Sequence, residues 1–158
     1  MGSAQPAGDP QVVMELTQGQ YSISTDPARL DIDAIHAFLS RSFWAEGIPK
    51  DVVRKSIANS LCFGVFDQGS QVGFARVISD RATYAYLCDV YILESHRGRG
   101  LGKWLIEAVM RYPDLQNLRR FQLVTRDAHW LYAAHGFAAP DDPEWQMEIF
   151  RPGMYLRR

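Results

Sequence analysis

The sequence has no charge excess of either sign. Its 17 Lys and Arg face 18 Asp and Glu, for a formal net charge of −1. No global field therefore draws in nucleic acid or an anionic membrane, and neither partner is expected. No apolar run approaches the roughly 20 residues of a membrane span. The first residues carry neither the basic region nor the apolar core of a secretory signal. Cysteine is scarce: Cys62 and Cys88 both fall in predicted strands, where two buried thiols need no disulfide, and a reduced cytoplasm is the expected compartment. The four histidines, His36, His96, His129 and His135, show no spacing of a metal site, so no metal is expected. Repeats, linkers and low-complexity tracts are missing too, which leaves no place for a second domain.

At 158 residues, 47% apolar and 12% aromatic, the chain is long enough to bury one real core. Residues 1–18, small and polar with Pro and Gly, read as a flexible N-terminal segment, and 19–158 as a single domain. Residues 21–24 alternate as a strand. Asp31 is a candidate N-cap for a helix that turns Ile35, Phe38 and Leu39 inward. Phe43 to Ile48 breaks that helix, and Pro49 opens a second one carrying Val52, Val53 and Ile57. Strands are expected over 62–67, 72–78 and 84–92, with a turn at 68–70. A helix over 100–111 repeats apolar residues at Leu101, Trp104, Leu105, Ala108 and Val109, and Pro113 closes it. A short strand over 121–125, a short helix over 128–135 stopped by Gly136, and a last strand over 145–150 complete the chain. The order is β-α-α-β-β-β-α-β-α-β.

The strand over 84–92 leads through Arg97-Gly98-Arg99-Gly100-Leu101-Gly102-Lys103 straight into a helix. Alternate glycines let main chain approach a ligand closely. Successive amides at a helix start, with Arg97, Arg99 and Lys103 around them, make a cradle for a phosphate or diphosphate. It is no Walker A loop: Gly102-Lys103 is followed by Trp104, and Arg97 stands where that loop's first glycine belongs. It is no dinucleotide fingerprint, because the spacing is G-x-G-x-G and too little chain follows for a doubly wound domain.

Arg97 to Gly102 does match the R-x-x-G-x-G/A signature of the GCN5-related N-acetyltransferase (GNAT) superfamily, after a strand and opening a helix as in that family. Some 30 residues on, Leu131-Tyr132-Ala133-Ala134-His135-Gly136-Phe137 resembles the family's L-Y-x-x-x-G-F element. Together the matches make residues from about Ile35 to Phe150 resemble a GNAT domain. The resemblance implies an α/β fold: a mixed, mostly antiparallel sheet with helices on both faces. Two strands, here 84–92 and 121–125, would splay apart around the arm of acetyl-CoA.

The same resemblance assigns roles. Val90, Tyr91 and Ile92 would line the pantetheine and the acyl carbonyl, and free strand amides would act as oxyanion donors. Arg97, Gly98, Arg99, Gly100, Leu101, Gly102 and Lys103 would hold the diphosphate. Thr125 stands where many relatives carry an asparagine that contacts the pantetheine arm. Tyr132 would protonate the departing thiolate, since a phenol with a pKa near 10 stays protonated at neutral pH; packing on an amphipathic helix is its other reading. At the positions where relatives often place a base, this chain has Tyr86 and Cys88. Asp89 is the adjacent carboxylate, on the opposite face by alternation, and is a candidate base or a tie between strands. Phe43 and Trp44, beside a glycine break, read as a pocket wall or a core cap. Arg76 interrupts an apolar strand, to bind an acceptor carboxylate or to meet solvent. His129 lies one helical turn before Tyr132, facing the same cleft or solvent.

The expectation is a cytoplasmic N-acetyltransferase that moves acetyl from acetyl-CoA to a small-molecule amine by direct attack. No Ser or Cys stands in a nucleophile constellation, and a covalent route through Cys88 is the weaker option. Rival readings are a non-catalytic CoA-binding module and an acetyltransferase of protein tails. A homodimer through the edge at 145–150 is open, since an exposed apolar edge invites pairing.

Overall fold

The computed structural model describes residues 12–157. Six strands form one sheet in chain order: β1 (Glu15–Gln18), β2 (Tyr21–Ser24), β3 (Leu61–Asp67), β4 (Ser70–Ser79), β5 (Tyr84–Ile92) and β6 (Arg120–Leu123). Every pairing is antiparallel except β5 with β6, which is parallel. Helices α1 (Ile32–Leu39) and α2 (Lys50–Ala58) connect β2 to β3. Helix α3 (Leu101–Arg111) links β5 to β6, and α4 (His129–Ala133) follows β6. Among the described residues no helix is long and apolar enough to cross a membrane.

Local chemistry sets these boundaries. Asp31 caps α1 by accepting from the Ala34 N–H at 3.0 Å, one of the donors a helix start leaves open. Gln68 and Gly69 both take positive φ, 48° and 93°, as a two-residue hairpin turn between right-twisting strands requires.

Alternation along β3, β4 and β5 sends side chains to two cores. On one face Phe63, Val65, Ala75, Val77, Ala85 and Leu87 pack with Leu105, Ile106, Val109 and Tyr112. On the other, Cys62, Phe74 and Tyr91 pack with Ile35, Leu39 and Val53 of α1 and α2. The sheet is thus covered on both faces, as the GNAT resemblance implied, and β3 and β4 form its middle.

Two expectations change at the ends of the chain. Residues 15–18, inside the segment read as flexible, form β1, held to β2 by a hairpin and by Ser24 Oγ donating to Glu15 at 2.6 Å. Residues 1–11 lie outside the described residues. The expected strand over 145–150 is absent: a 3-10 turn covers Pro143–Trp145, and residues 146–150 have no regular structure. Trp145, Met147 and Ile149 do alternate, yet they are 78%, 96% and 82% exposed. A strand pattern needs an edge to pair with, and within this chain residues 145–150 reach none.

Candidate active site

The site begins where β5 and β6 part. Their pairing runs from Tyr84↔Arg120 to Leu87↔Leu123 and stops, while β5 continues to Ile92 beside β4. At the parting β5 carries a bulge: the register with β4 shifts between Phe74 and Arg76, and Asp89 takes φ 53°. An extra residue reverses which main-chain groups face which neighbour. Before the bulge, Ala85 and Leu87 point their peptide groups at β6. Beyond it, the Leu93 N–H donates to Val72 O at 2.8 Å, so by alternation Tyr91 faces β4 while Val90 and Ile92 turn to the open gap. The Ile92 carbonyl is already taken by Arg97 Nε at 3.0 Å, which leaves N–H donors in the gap.

Three of these groups meet at the bulge. Asp89 accepts from Trp44 Nε1 through Oδ1 and from Arg76 Nε through Oδ2, each at 2.9 Å. Arg76 also donates to Ser60 Oγ at 3.1 Å. The Arg76–Asp89 pair is largely buried, at 16% and 11% side-chain exposure. Sequence reading offered Arg76 as an acceptor contact or a solvent-facing residue, Trp44 as a pocket wall or a core cap, and Asp89 as a base or a tie between strands. The fold brings all three to one another, on the α1–α2 side, with Asp89 tying β5 to β4 and to the loop after α1. Positive φ at Asp89 is why simple alternation misplaced its side chain: it points back toward Trp44 of the loop after α1.

The glycine turn forms the second part. Gly98 and Gly100 take φ 79° and 76°, a conformation costly for any residue with a Cβ. Gly100 is the α3 N-cap and brings no side chain to the helix start. The first helical bond in α3 is Trp104 N–H to Gly100 O. Among the described residues the amides from Gly98 to Lys103 have no protein acceptor. They converge at the positive end of an 11-residue helix, which is an anion site. Arg99 is steadied by the Tyr21 hydroxyl at 2.6 Å. A cavity of about 510 Å³ lies beside it, bounded by Gln18, Tyr21, Arg99, Lys103 and Trp104.

The far wall is α4. Tyr132 is 8% exposed and sits edge-on to Phe137, ring centroids 6.0 Å apart. Burial raises its phenol above the usual range, and its hydroxyl has no partner among the described residues. Thr125 Oγ1 accepts from the Ala128 N–H at 3.0 Å, just before α4, which uses one of its two acceptor lone pairs. Its hydroxyl proton stays available as a donor. His129 is exposed.

Several expected contacts lie elsewhere. Tyr91 stacks on Phe38 at 3.7 Å and 12°, so its ring belongs to the α1 core and its main chain to β4. Leu101 is 5% exposed and faces the core, leaving only its amide for a ligand. Tyr86 is half-buried on the face that carries Cys88, and burial raises its phenol. The Cys88 thiol is pushed up to about 12 by burial and stays protonated at neutral pH. Phe43 is 63% exposed. The Arg126 guanidinium lies 4.0 Å from its ring centroid, joining the loop after α1 to the loop after β6. Sequence reasoning missed Arg126 and Ser60; neither lies in a motif, and only the fold carries them to Phe43 and Arg76.

The acetyltransferase (GNAT) domain family matches residues 58–139, a span holding β3 through α4. A candidate acetyltransferase of Gibberella zeae is 37% identical over 140 residues, covering 73% of this chain and 77% of that protein. The crystal structure of a candidate GNAT-family acetyltransferase from Xanthomonas campestris superposes with a TM-score of 0.84 at 55% identity, over 85% of this chain and 96% of that one. A candidate acetyltransferase of Clostridium acetobutylicum, solved with acetyl-CoA, shares the fold at a TM-score of 0.59 and 18% identity, over 82% and 94% of the two chains. The chain is a member of the GNAT family, and it is an acetyltransferase. Enzymes of that family use acetyl-CoA, and an acceptor substrate follows from the reaction.

Proposed function

We propose that this enzyme transfers acetyl from acetyl-CoA to the amine of a small molecule, by direct attack with both substrates bound. The observation that carries this reading is the run of unpartnered amides from Gly98 to Lys103, at the mouth of the gap into which Val90 and Ile92 turn theirs.

These residues fit coenzyme A by their chemistry. The amides of the turn, with Arg99 and Lys103 beside them, would hold the diphosphate. When bound, acetyl-CoA supplies an acyl thioester. The Val90 and Ile92 amides would accept the charge that grows on the carbonyl oxygen, without reorganisation. Holding two reactants in one cleft contributes on the order of several kcal/mol. Tyr132, kept protonated by its burial, would donate its proton to the leaving sulfur. Asp89 acts through position: its two oxygens, engaged by Trp44 and Arg76, fix the bulge that aims those amides. The acceptor amine, neutral on arrival, releases its proton to water. The thiol of Cys88, held near 12, supports direct attack over a covalent thioester.

Two features favour a small acceptor. Phe43 and Arg126 stand together over the joined loops, and a cavity of about 270 Å³ between Phe38, Arg41, Ser42, Leu93, Glu94 and Arg97 is sized for a small molecule. The net charge of −1 lacks the acidic bias that lysine-rich tails favour. Free Cys62 and Cys88 suit a reducing cytoplasm.

The test is a panel of small amines and lysine peptides with acetyl-CoA, read by thiol release. Turnover of small amines with silent peptides is the expected result. Turnover of peptides alone contradicts the small-acceptor reading.

A further inference from the structure

The loop after α1 leaves two large rings uncovered beside the bulge of β5. Phe43 and Trp44 are 63% and 42% exposed, neighbours in sequence and in space. Scattered exposed apolar residues are ordinary, but two adjoining rings at the edge of a reaction cleft are not. They are also held in place. Trp44 Nε1 donates to Asp89 Oδ1 at 2.9 Å, and Asp89 directly precedes Val90, whose amide is assigned above to the acyl carbonyl. The indole is thus fixed by its edge while much of its ring stays uncovered.

Behind these rings the aromatic wall is continuous. Trp44 packs on Phe38 with centroids 6.2 Å apart, and Phe38 stacks on Tyr91 at 3.7 Å. Phe43 and Trp44 themselves meet at 5.2 Å and 81°. Two perpendicular rings make a corner, and a flat third ring fits it with its face on one and its edge on the other.

The charged groups around this corner are already engaged. Asp89 accepts from both Trp44 and Arg76, so it offers no unpaired negative charge to the second ammonium of a polyamine. Arg76 donates to Asp89 and Ser60 and offers no unpaired positive charge to the carboxylate of an amino acid. Cys88, opposite Arg76 across β4 and β5, stays a neutral thiol, since burial pushes it up to about 12. The Arg126 guanidinium, 4.0 Å from the Phe43 centroid, disfavours a second cation at the mouth.

We propose that the acetyl acceptor is an arylalkylamine, a primary amine on a short alkyl arm ending in an aromatic ring, with that ring seated in the Phe43–Trp44 corner. The assignment rests on the small-acceptor reading above and narrows it. An uncharged wall also suits the reaction. Apolar surroundings disfavour the ammonium form, and attack needs the neutral amine. Because Trp44 is tied to the residue before Val90, ring and acyl group share one frame, and the length of the arm decides whether the amine reaches the carbonyl carbon.

The test compares kcat/KM for phenylethylamine, cyclohexylethylamine, putrescine and β-alanine, on the full chain with saturating acetyl-CoA. The phenyl compound should lead putrescine and β-alanine by about tenfold or more, and its saturated counterpart by about threefold. Phe43→Leu keeps an apolar side chain and removes the ring. It should bring the phenyl-to-cyclohexyl ratio close to one, a change that partial loss of folding does not produce. Nitrogen-15 spectra of the wild-type protein need neither variant nor turnover: phenylethylamine should shift the Trp44 indole N–H saturably. Putrescine or β-alanine ahead of the phenyl compound overturns the proposal and leaves the small-acceptor reading intact. Equal phenyl and cyclohexyl values, a ratio untouched by Phe43→Leu, or an unmoved Trp44 indole each overturn it as well. Turnover of lysine peptides alone overturns both.

Discussion

Tyr132 and Asp89 separate two kinds of contribution at the level of single side chains. Tyr132→Phe removes a hydroxyl with no protein partner, so the fold should be unaffected. If that hydroxyl is the acid, kcat falls by about 10²–10⁴ while the affinity for acetyl-CoA holds, as stopped-assay kinetics and calorimetry would show. Loss of affinity with unchanged kcat would make Tyr132 a packing residue. The pH profile supplies a sign. Burial raises this phenol, so its proton persists above the ordinary value near 10. An alkaline limb due to Tyr132 therefore lies above pH 10 and disappears in Tyr132→Phe.

Asp89→Asn keeps an acceptor for Trp44 but unpairs the buried Arg76. Its kcat should drop by at least tenfold with the acid limb of the profile in place. Disappearance of that limb would instead identify Asp89 as the general base. Tyr132 was legible because a motif fixes its neighbours. The Asp89 arrangement was not, since alternation in a strand presumes no bulge, and one residue at φ 53° reverses the assignment.

Elements read well wherever periodicity met a partner inside the chain. Helix α3 shows Leu101, Trp104, Leu105, Ala108 and Val109 in the sequence and buries all but Trp104, which is half-buried. Leu105→Ala should cost about 2–5 kcal/mol in urea unfolding, since the side chain is fully buried. The glycine turn gives a finer contrast. At Gly100 a Cβ meets nothing within 4 Å, yet φ is +76°, so Gly100→Ala should lose about 1–2 kcal/mol from backbone strain alone. At Gly102 φ is ordinary and the nearest side-chain atom is 3.8 Å from the added Cβ. Gly102→Ala should unfold at or above the wild-type urea midpoint, since alanine is favoured over glycine within a helix by about 0.5–1 kcal/mol. β1 went unread because its four residues carry no alternating apolar pattern: Leu16 is the one apolar member, and the strand rests on pairing with β2.

On the scale of the whole molecule, the order of strands and helices was legible from Tyr21 to Gly136, and with it the split between β5 and β6. The C-terminal arm was not. Its alternation is real, but among the described residues no strand edge pairs with it, and alternation alone does not supply a partner. The long-range ties of the site share this limit: Arg76 with Ser60 and Phe43 with Arg126 are set by packing, not by any local pattern.

The central claim is that the split sheet and the amide turn together receive coenzyme A. Titrating acetyl-CoA into nitrogen-15-labelled protein tests it directly. The amide resonances of residues 98–103, Val90 and Ile92 should move together and saturate at one concentration, with Tyr132 perturbed at the same point. Saturable binding that moves amides elsewhere and leaves residues 98–103 unshifted would contradict the account.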